Sequence, residues 1–195
     1  MNNTIQYYQQ NAEQFSRETR SVDFSQNQGK FMSKLKKNDT ILDFGCGSGR
    51  DTKCFLEHGF QVEAIDGSEE LCRLAGEFTG IKVKHLLFQE LAEKNKYDGI
   101  WACSSILHLP KQELIEVIQK MSLALKSKGI IYTSFKYGTF EGERNGRYFT
   151  DMTEDSFEEI LQATKELQIE EQWITSDVRP ERGNEKWLNL ILRKM

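Results

Sequence analysis

The stretch from Thr40 to Asp51, TILDFGCGSGRD, constrains the fold more than any other part of this chain. A short apolar run carrying one carboxylate, Asp43, meets three glycines spaced two apart, Gly45, Gly47 and Gly49, and then a helical pattern. That succession reads as a strand, a tight turn and a helix N-terminus. Glycine allows positive φ and lets a ligand approach the main chain without meeting a Cβ. The first amides of the following helix point into the same space. The junction is therefore a ligand-binding turn. The dinucleotide fingerprint G-x-G-x-x-G fails, because the sixth position counted from Gly45 is Arg50. A carboxylate at Asp43 suits a cationic or ammonium-bearing ligand better than a pyrophosphate.

A second acid, Asp66, closes the next apolar stretch, Val62 to Ile65, 23 residues beyond Asp43. With the turn, its leading acid and a second acid at βαβ spacing, the sequence resembles the class I S-adenosylmethionine (SAM) dependent methyltransferases over about Asp39 to Phe135. The resemblance implies SAM as cofactor. It also implies an α/β, Rossmann-like, doubly wound seven-stranded sheet of order 3214576 with the last strand antiparallel and helices on both faces. Asp66 would accept hydrogen bonds from the ribose hydroxyls, with Gly67 beside it. Asp43, Gly45, Cys46, Gly47 and Arg50 would line the cofactor at the glycine turn. Phe88 would pack on the adenine, and Gln89, standing where many relatives carry Asp, would accept from its amino group. Cys103 and Ser104 would border the cofactor after the fourth strand.

The elements in chain order support that architecture. Residues 2–19 form an amphipathic helix with Ile5, Tyr8, Ala12 and Phe15 on one face, within an N-terminal helical cap spanning 1–38. In the related enzymes such a segment folds over the SAM site, so Tyr8, Phe15 and Arg20 are expected to close it over the methionyl end, the aromatic faces suiting a sulfonium by cation–π attraction. The alternative is that these aromatics only anchor the helix to the core. A second helix follows from Asp23 to Lys36. After the glycine turn a helix runs to His58 and stops at Gly59. Gln61 to Asp66 is a strand, and Ser68 with Glu69 and Glu70 opens a helix ending near Gly76. Ile81 to Phe88 is a polar, edge-like third strand, and Tyr97 to Cys103 is an apolar, buried fourth. Pro110 to Leu125 is helical, and Gly129 to Phe135 is the fifth strand. Strands alternating with crossover helices give a mostly parallel sheet.

The period then disappears. Lys136 to Asp151 reads as a structureless loop leaving the carboxyl end of the fifth strand, hence a substrate lid with Lys136, Tyr137, Arg144, Arg147 and Tyr148 as contacts. The competing reading is a surface loop whose arginines pair with Glu141 and Glu143. A helix from Thr153 to about Lys165 precedes an antiparallel hairpin of Leu167 to Asp177 and Trp187 to Arg193. Arg179, Arg182 and Trp187 lie near its turn, where solvated positions are the plainer reading and contact with the substrate mouth is the alternative.

At 195 residues the chain fits one domain. With 30 acidic against 26 basic residues, its net charge of −4 creates no global positive field for nucleic acid or an anionic membrane. No apolar signal segment opens it, so a cytoplasmic monomer or homodimer is expected. Cys46, Cys54, Cys72 and Cys103 form no C-x-x-C pair, so no metal site is expected.

For chemistry, displacement at a sulfonium needs orientation and desolvation more than acid or base. If a base acts, His108 is the candidate, with Tyr8 and then Tyr7 and Tyr148 behind it; the alternative is that His108 is a helix-entry or core residue. Cys103 lacks a partner base. The fourth strand leads into Ala102, Cys103, Ser104 and Ser105 rather than Asn/Asp-Pro-Pro-aromatic, against a nucleobase-amine substrate. The favoured expectation is methyl transfer to a nitrogen or oxygen of a small molecule. The alternatives are transfer of the aminocarboxypropyl arm or a modified methyl group, methylation of tRNA or protein, and a non-catalytic SAM-binding regulator.

Overall fold

The computed structural model describes residues 3–179 and 182–195. Asn2, expected in the first helix, and Pro180 and Glu181, expected in the last turn, lie outside the described residues. Helices α1 (Asn3–Thr19) and α2 (Ser25–Met32) lead into β1 (Thr40–Phe44), α3 (Arg50–Glu57), β2 (Gln61–Asp66), α4 (Glu69–Thr79) and β3 (Val83–His85). Then come β4 (Tyr97–Ala102), α5 (Lys111–Ala124), β5 (Leu125–Lys136), β6 (Glu141–Arg144), β7 (Arg147–Thr150), α6 (Glu154–Gln162), β8 (Leu167–Ser176) and β9 (Lys186–Lys194).

Seven strands make one sheet in the order β3-β2-β1-β4-β5-β9-β8, and β6 and β7 pair separately. The strands β1 to β5 are parallel, while β9 runs antiparallel to both β5 and β8. This is the expected 3214576 arrangement, with the final strand inserted beside β5.

Two-residue periodicity divides the core between the sheet's faces. Ile41, Trp101, Ile130, Tyr132 and Ile191 pack with Phe31 of α2 and Phe55 of α3. The Trp101 and Tyr132 rings stack at 3.9 Å. Their neighbours Leu42, Ile100, Ile131, Leu190 and Leu192 pack on the opposite side with Leu114, Val117, Ile118 and Met121 of α5 and Phe157 and Ile160 of α6. Strand β4 has no exposed residue, as a central parallel strand covered on both faces requires.

Local signals set several boundaries. Ser68 caps α4 by accepting from the Leu71 amide at 3.2 Å, and Thr153 caps α6 by accepting from the Ser156 amide at 3.3 Å. Five expectations need correcting. Helix α4 passes through Gly76 and ends at Gly80, whose φ of 79° supplies the left-handed C-terminal residue. Helix α2 covers only Ser25–Met32, and β5 begins at Leu125 rather than Gly129. Strand β3 has only three residues, and Phe88–Glu90 is a 3₁₀ turn closed by a hydrogen bond from the Leu87 amide to Glu90. The stretch read as a structureless lid is largely a β-hairpin, β6 and β7, turning at Asn145 and Gly146, both at positive φ. Its four-residue strands alternate too briefly, among three glycines, to show a period.

No helix among the described residues is long and apolar enough to cross a membrane.

Candidate active site

The carboxyl edge of the parallel strands, α1 and the β6–β7 hairpin enclose a cavity of about 850 Å³. Its position beyond the strand ends is where open α/β sheets place ligands, and its size fits a small-molecule site.

At one end lies the glycine turn. Gly45 and Cys46 donate their amides to the Ile65 carbonyl at 3.0 and 2.9 Å, fixing the turn to the end of β2. Gly45 has φ 88°, and a Cβ there would stand 2.5 Å from that of Ser105 and 3.0 Å from the Phe88 ring. The glycine is thus demanded by close packing of the protein itself as well as by backbone angle. Asp66 accepts from the Gly47 amide through Oδ2 and the Ser68 amide through Oδ1, each at 2.9 Å. Burial raises its pKa, against the pull of those two amides. An ionised carboxylate can accept about four hydrogen bonds, so Asp66 retains capacity toward the cavity it lines. Gly67 follows it on the wall, its carbonyl accepting from His85 Nε2 at 3.0 Å. Phe88 lines the same end, 4.7 Å from the Phe44 ring. Gln89 lines it too, with its amide nitrogen turned to Glu113 at 2.5 Å.

Across the cavity, α1 and the hairpin meet the end of β4. His108 Nδ1 lies 2.6 Å from the Tyr148 carbonyl, which only accepts, so Nδ1 carries the proton. Nε2 is then the acceptor for the Tyr8 hydroxyl at 2.9 Å. Arg147 in turn donates to the Tyr8 oxygen at 3.3 Å. Burial lowers the His108 pKa to about 4, the Tyr148 carbonyl opposing and the Arg147 charge reinforcing the shift. Burial likewise raises that of Tyr8, offset in part by Arg147. Near neutral pH the pair is uncharged on both sides.

Between the two ends, Arg50 forms two hydrogen bonds to Asp51, at 2.8 and 2.9 Å, and lies over Phe24. Asp51 also accepts from Gln28 at 2.7 Å and Trp101 at 2.8 Å. Burial works to raise its pKa, but Arg50 and these donors prevail and leave it lowered. The Cys103 thiol, on the wall, is pushed up to about 12 by burial and the Asp51 charge, which leaves it inert near neutrality. Ser104 adopts φ 51° and is held there by its amide donating to Ser134 Oγ at 2.9 Å.

Of the residues expected at the site, Tyr8, Phe15, Gly45, Cys46, Gly47, Arg50, Asp66, Gly67, Phe88, Gln89, Cys103, Ser104 and His108 all line this cavity. Two expectations fail on geometry. Asp43 is 2% exposed and accepts from Thr52 Oγ1 at 2.5 Å, so it ties β1 to α3 beneath the turn and does not reach the wall. Burial and the neighbouring Asp51 charge raise its pKa. Arg20 also stays off the wall: it donates to the Ser48 and Leu74 carbonyls at 3.2 and 2.9 Å and covers Phe78, clamping α1 to the turn and α4. Of the lid contacts, Lys136 and Arg147 reach the cavity, while Tyr137, Arg144 and the Tyr148 side chain do not. Arg144 pairs with Asp151 at 2.9 Å rather than with Glu141 or Glu143. Arg179, Arg182 and Trp187, read as solvated, are on the wall. Asp51, Asp177 and Asn189 were not expected there. Asn189 had a signal: it is a buried amide inside the apolar run WLNLIL, bonded to the Tyr132 hydroxyl at 2.7 Å.

Residues 41–129 match the model of a known family, the methyltransferase domain. Over that segment, a little under half of its length, the chain is similar to methyltransferase domains. Its sheet order and the glycine turn described above agree with that likeness. Among curated sequences, the chain is 34% identical over 102 residues to the N-terminal Xaa-Pro-Lys N-methyltransferase 1-A of Xenopus laevis, covering 48% of this chain and 46% of that protein. It is 31% identical over 115 residues to the putative methyltransferase YqeM of Bacillus subtilis, covering 53% and 47%. The chain thus spans about half the length of these curated relatives. Among solved structures, 1,6-didemethyltoxoflavin-N1-methyltransferase of Burkholderia thailandensis, crystallised with 1,6-didemethyltoxoflavin and S-adenosylhomocysteine, superposes with a TM-score of 0.77 at 21% identity, over 98% of this chain and 85% of that one. The methyltransferase NodS of Bradyrhizobium japonicum, in complex with S-adenosyl-L-homocysteine, gives 0.71 at 14% identity over 95% and 97%. At those identities the likeness is one of fold.

Proposed function

We propose that this protein binds SAM and transfers its methyl group to a nitrogen or oxygen nucleophile of a small molecule. The observation that carries this reading is one cavity with two chemically distinct ends. A main-chain cradle with an acid at β2 stands at one, and an aromatic, hydrogen-bonding compartment under a hairpin at the other.

The residues present fit the cofactor. Asp66 has its two oxygens oriented by the Gly47 and Ser68 amides, which leaves acceptor capacity for ribose hydroxyls. Phe88 offers an apolar face for the adenine, and Gln89 an amide carbonyl. Tyr8 and Phe15, ring to ring at 5.2 Å, offer aromatic faces to a cationic sulfur. When bound, SAM supplies a methyl group already activated by positive charge on sulfur.

The protein then contributes position and exclusion of water. His108 is held neutral, and its Nε2 is occupied by Tyr8. A histidine whose conjugate acid has a pKa of about 4 is too weak a base to ionise an alcohol. The Tyr8–His108 pair therefore orients the acceptor, and suits a neutral amine or an oxygen acid that ionises unaided. The match to the methyltransferase domain and the S-adenosylhomocysteine bound in the two neighbours support SAM as donor. The neighbour that methylates a small heterocycle, together with the roof of α1 and hairpin, supports a small acceptor.

The test is calorimetric titration with S-adenosylhomocysteine, followed by incubation of SAM with an acceptor panel. Release of S-adenosylhomocysteine supports methyl transfer, whereas methylthioadenosine would indicate transfer of the aminocarboxypropyl arm. No uptake by folded protein would refute the reading. The match to an N-terminal Xaa-Pro-Lys enzyme makes a peptide α-amine the second acceptor to include.

A further inference from the structure

Five cationic side chains line the cavity among the described residues, and four of them face carboxylates. Arg50 faces Asp51, Arg179 faces Asp177 at 2.5 Å, Lys136 pairs with Glu185, and Arg182 lies 3.9 Å from Glu185. Arg147 is the exception. Its guanidinium lies 4.5 Å from the Tyr7 ring centre, 5.2 Å from Phe149 and 5.8 Å from Tyr8. Its guanidinium donates one long hydrogen bond, 3.3 Å to the Tyr8 hydroxyl, and its Nε is buried without a hydrogen-bond partner among the described residues.

A guanidinium offers five N–H donors in a fixed fork that matches a carboxylate. A donor taken out of water without a hydrogen-bond partner is costly, and the Nε of the partly buried Arg147 side chain is such a donor. Three aromatic rings hold the guanidinium in place while leaving donors unused. The arrangement is therefore built for an anion that the protein itself does not provide.

We infer that Arg147 is an anion-binding contact of the acceptor compartment, and that the molecule receiving the methyl group carries a carboxylate bound by this guanidinium. The inference rests on the function proposed above and names the chemistry of its acceptor. A single unmatched cation suits a monoanion better than a phosphate dianion. Either molecule meeting in the cavity can bring a carboxylate, because the donor has an amino-acid arm. Arg147 belongs to the hairpin, beside Phe149 and against the Tyr8–His108 pair, and this places it on the acceptor's side.

The experiment uses the full chain saturated with S-adenosylhomocysteine, titrated with benzoate and with benzamide, its uncharged isostere. Benzoate is expected to bind at least tenfold more tightly. Arg147→Met should abolish that difference, and Arg147→Lys should keep part of it, both with affinity for S-adenosylhomocysteine within threefold of the parent. Equal binding of the two probes, or no binding of benzoate, overturns the inference and leaves the proposed function standing. Loss of tenfold or more in S-adenosylhomocysteine affinity in Arg147→Met, with benzoate unaffected, assigns the guanidinium to the donor's carboxylate and also overturns it. Failure of the parent to take up S-adenosylhomocysteine at all brings down the functional reading first and this inference with it. The probe comparison on the parent needs no variant, so a substitution that impairs folding does not remove the test.

Discussion

At the scale of single residues, Asp66 and His108 have opposite tasks. Asp66 is a charged acceptor kept in register by two backbone amides, so replacing it by Asn turns one of those acceptors into a donor and removes the charge. We expect Asp66→Asn to weaken S-adenosylhomocysteine binding tenfold or more, about 1.4 kcal/mol, in calorimetry on a protein whose circular dichroism is unchanged. His108 is instead a neutral link between Tyr8 and the Tyr148 carbonyl. Its folded pKa of about 4 lies below the ordinary value of 6.5. The unfolded chain therefore binds more protons between those values, and stability falls on acidification through that window. The loss attributable to His108 is about 2 kcal/mol between pH 8 and pH 5. Asp43, whose folded pKa is raised, contributes a slope of opposite sign over part of the same range. Subtraction removes it: urea unfolding of the parent and of His108→Gln across these pH values should show a shallower acid loss in the variant. Parallel curves would mean that the imidazole is not held neutral.

At the scale of elements, the decisive joints are those of α1. Helix α1 reaches the glycine turn through Thr19 Oγ1, bonded to Ser48 Oγ at 2.9 Å, and through Arg20. It reaches the hairpin through Tyr8, which accepts from Arg147, and through the Tyr148 amide, which donates to Thr4 Oγ1 at 2.9 Å. Glycine turn and hairpin are thus joined by one helix rather than only by the sheet. Because Arg20 spends its donors on two carbonyls and its face on Phe78, its role is to seat the helix. Arg20→Met should cost about 2 kcal/mol in chemical denaturation, with S-adenosylhomocysteine affinity within threefold of the parent. A much larger loss of affinity at unchanged stability would return Arg20 to the site.

At the scale of the whole molecule, a ligand that binds only the folded chain raises its stability by mass action. At one hundred times its Kd, S-adenosylhomocysteine should add about 2.7 kcal/mol. For a domain of this size that is an upward shift of about 5–10 °C in Tm, measurable by thermal denaturation followed optically. A Tm independent of ligand concentration would contradict the site.

The resemblance to a known family implied the sheet order, and the sequence by itself determined the strands, the crossover helices and the glycine turn at one end of the cavity. Those features rest on local rules: apolar runs of strand length, glycines where φ is positive, capping residues at Ser68 and Thr153, and acids at fixed offsets. Only the tertiary structure decided what each charged side chain does. Asp43 and Asp51 are both acids at the turn, yet one is buried under α3 and the other faces the cavity, because a two-residue repeat and a helical repeat point them differently. Arg20, Arg144 and Arg147 look alike in the chain. The first clamps backbone, the second meets Asp151, and the third stands among rings with no ion pair among the described residues. Arg144 finds its acid seven positions away across the hairpin, whereas Arg20 meets the Leu74 carbonyl 54 positions away and Arg147 meets Tyr8 139 positions away, and no local pattern encodes those last two contacts.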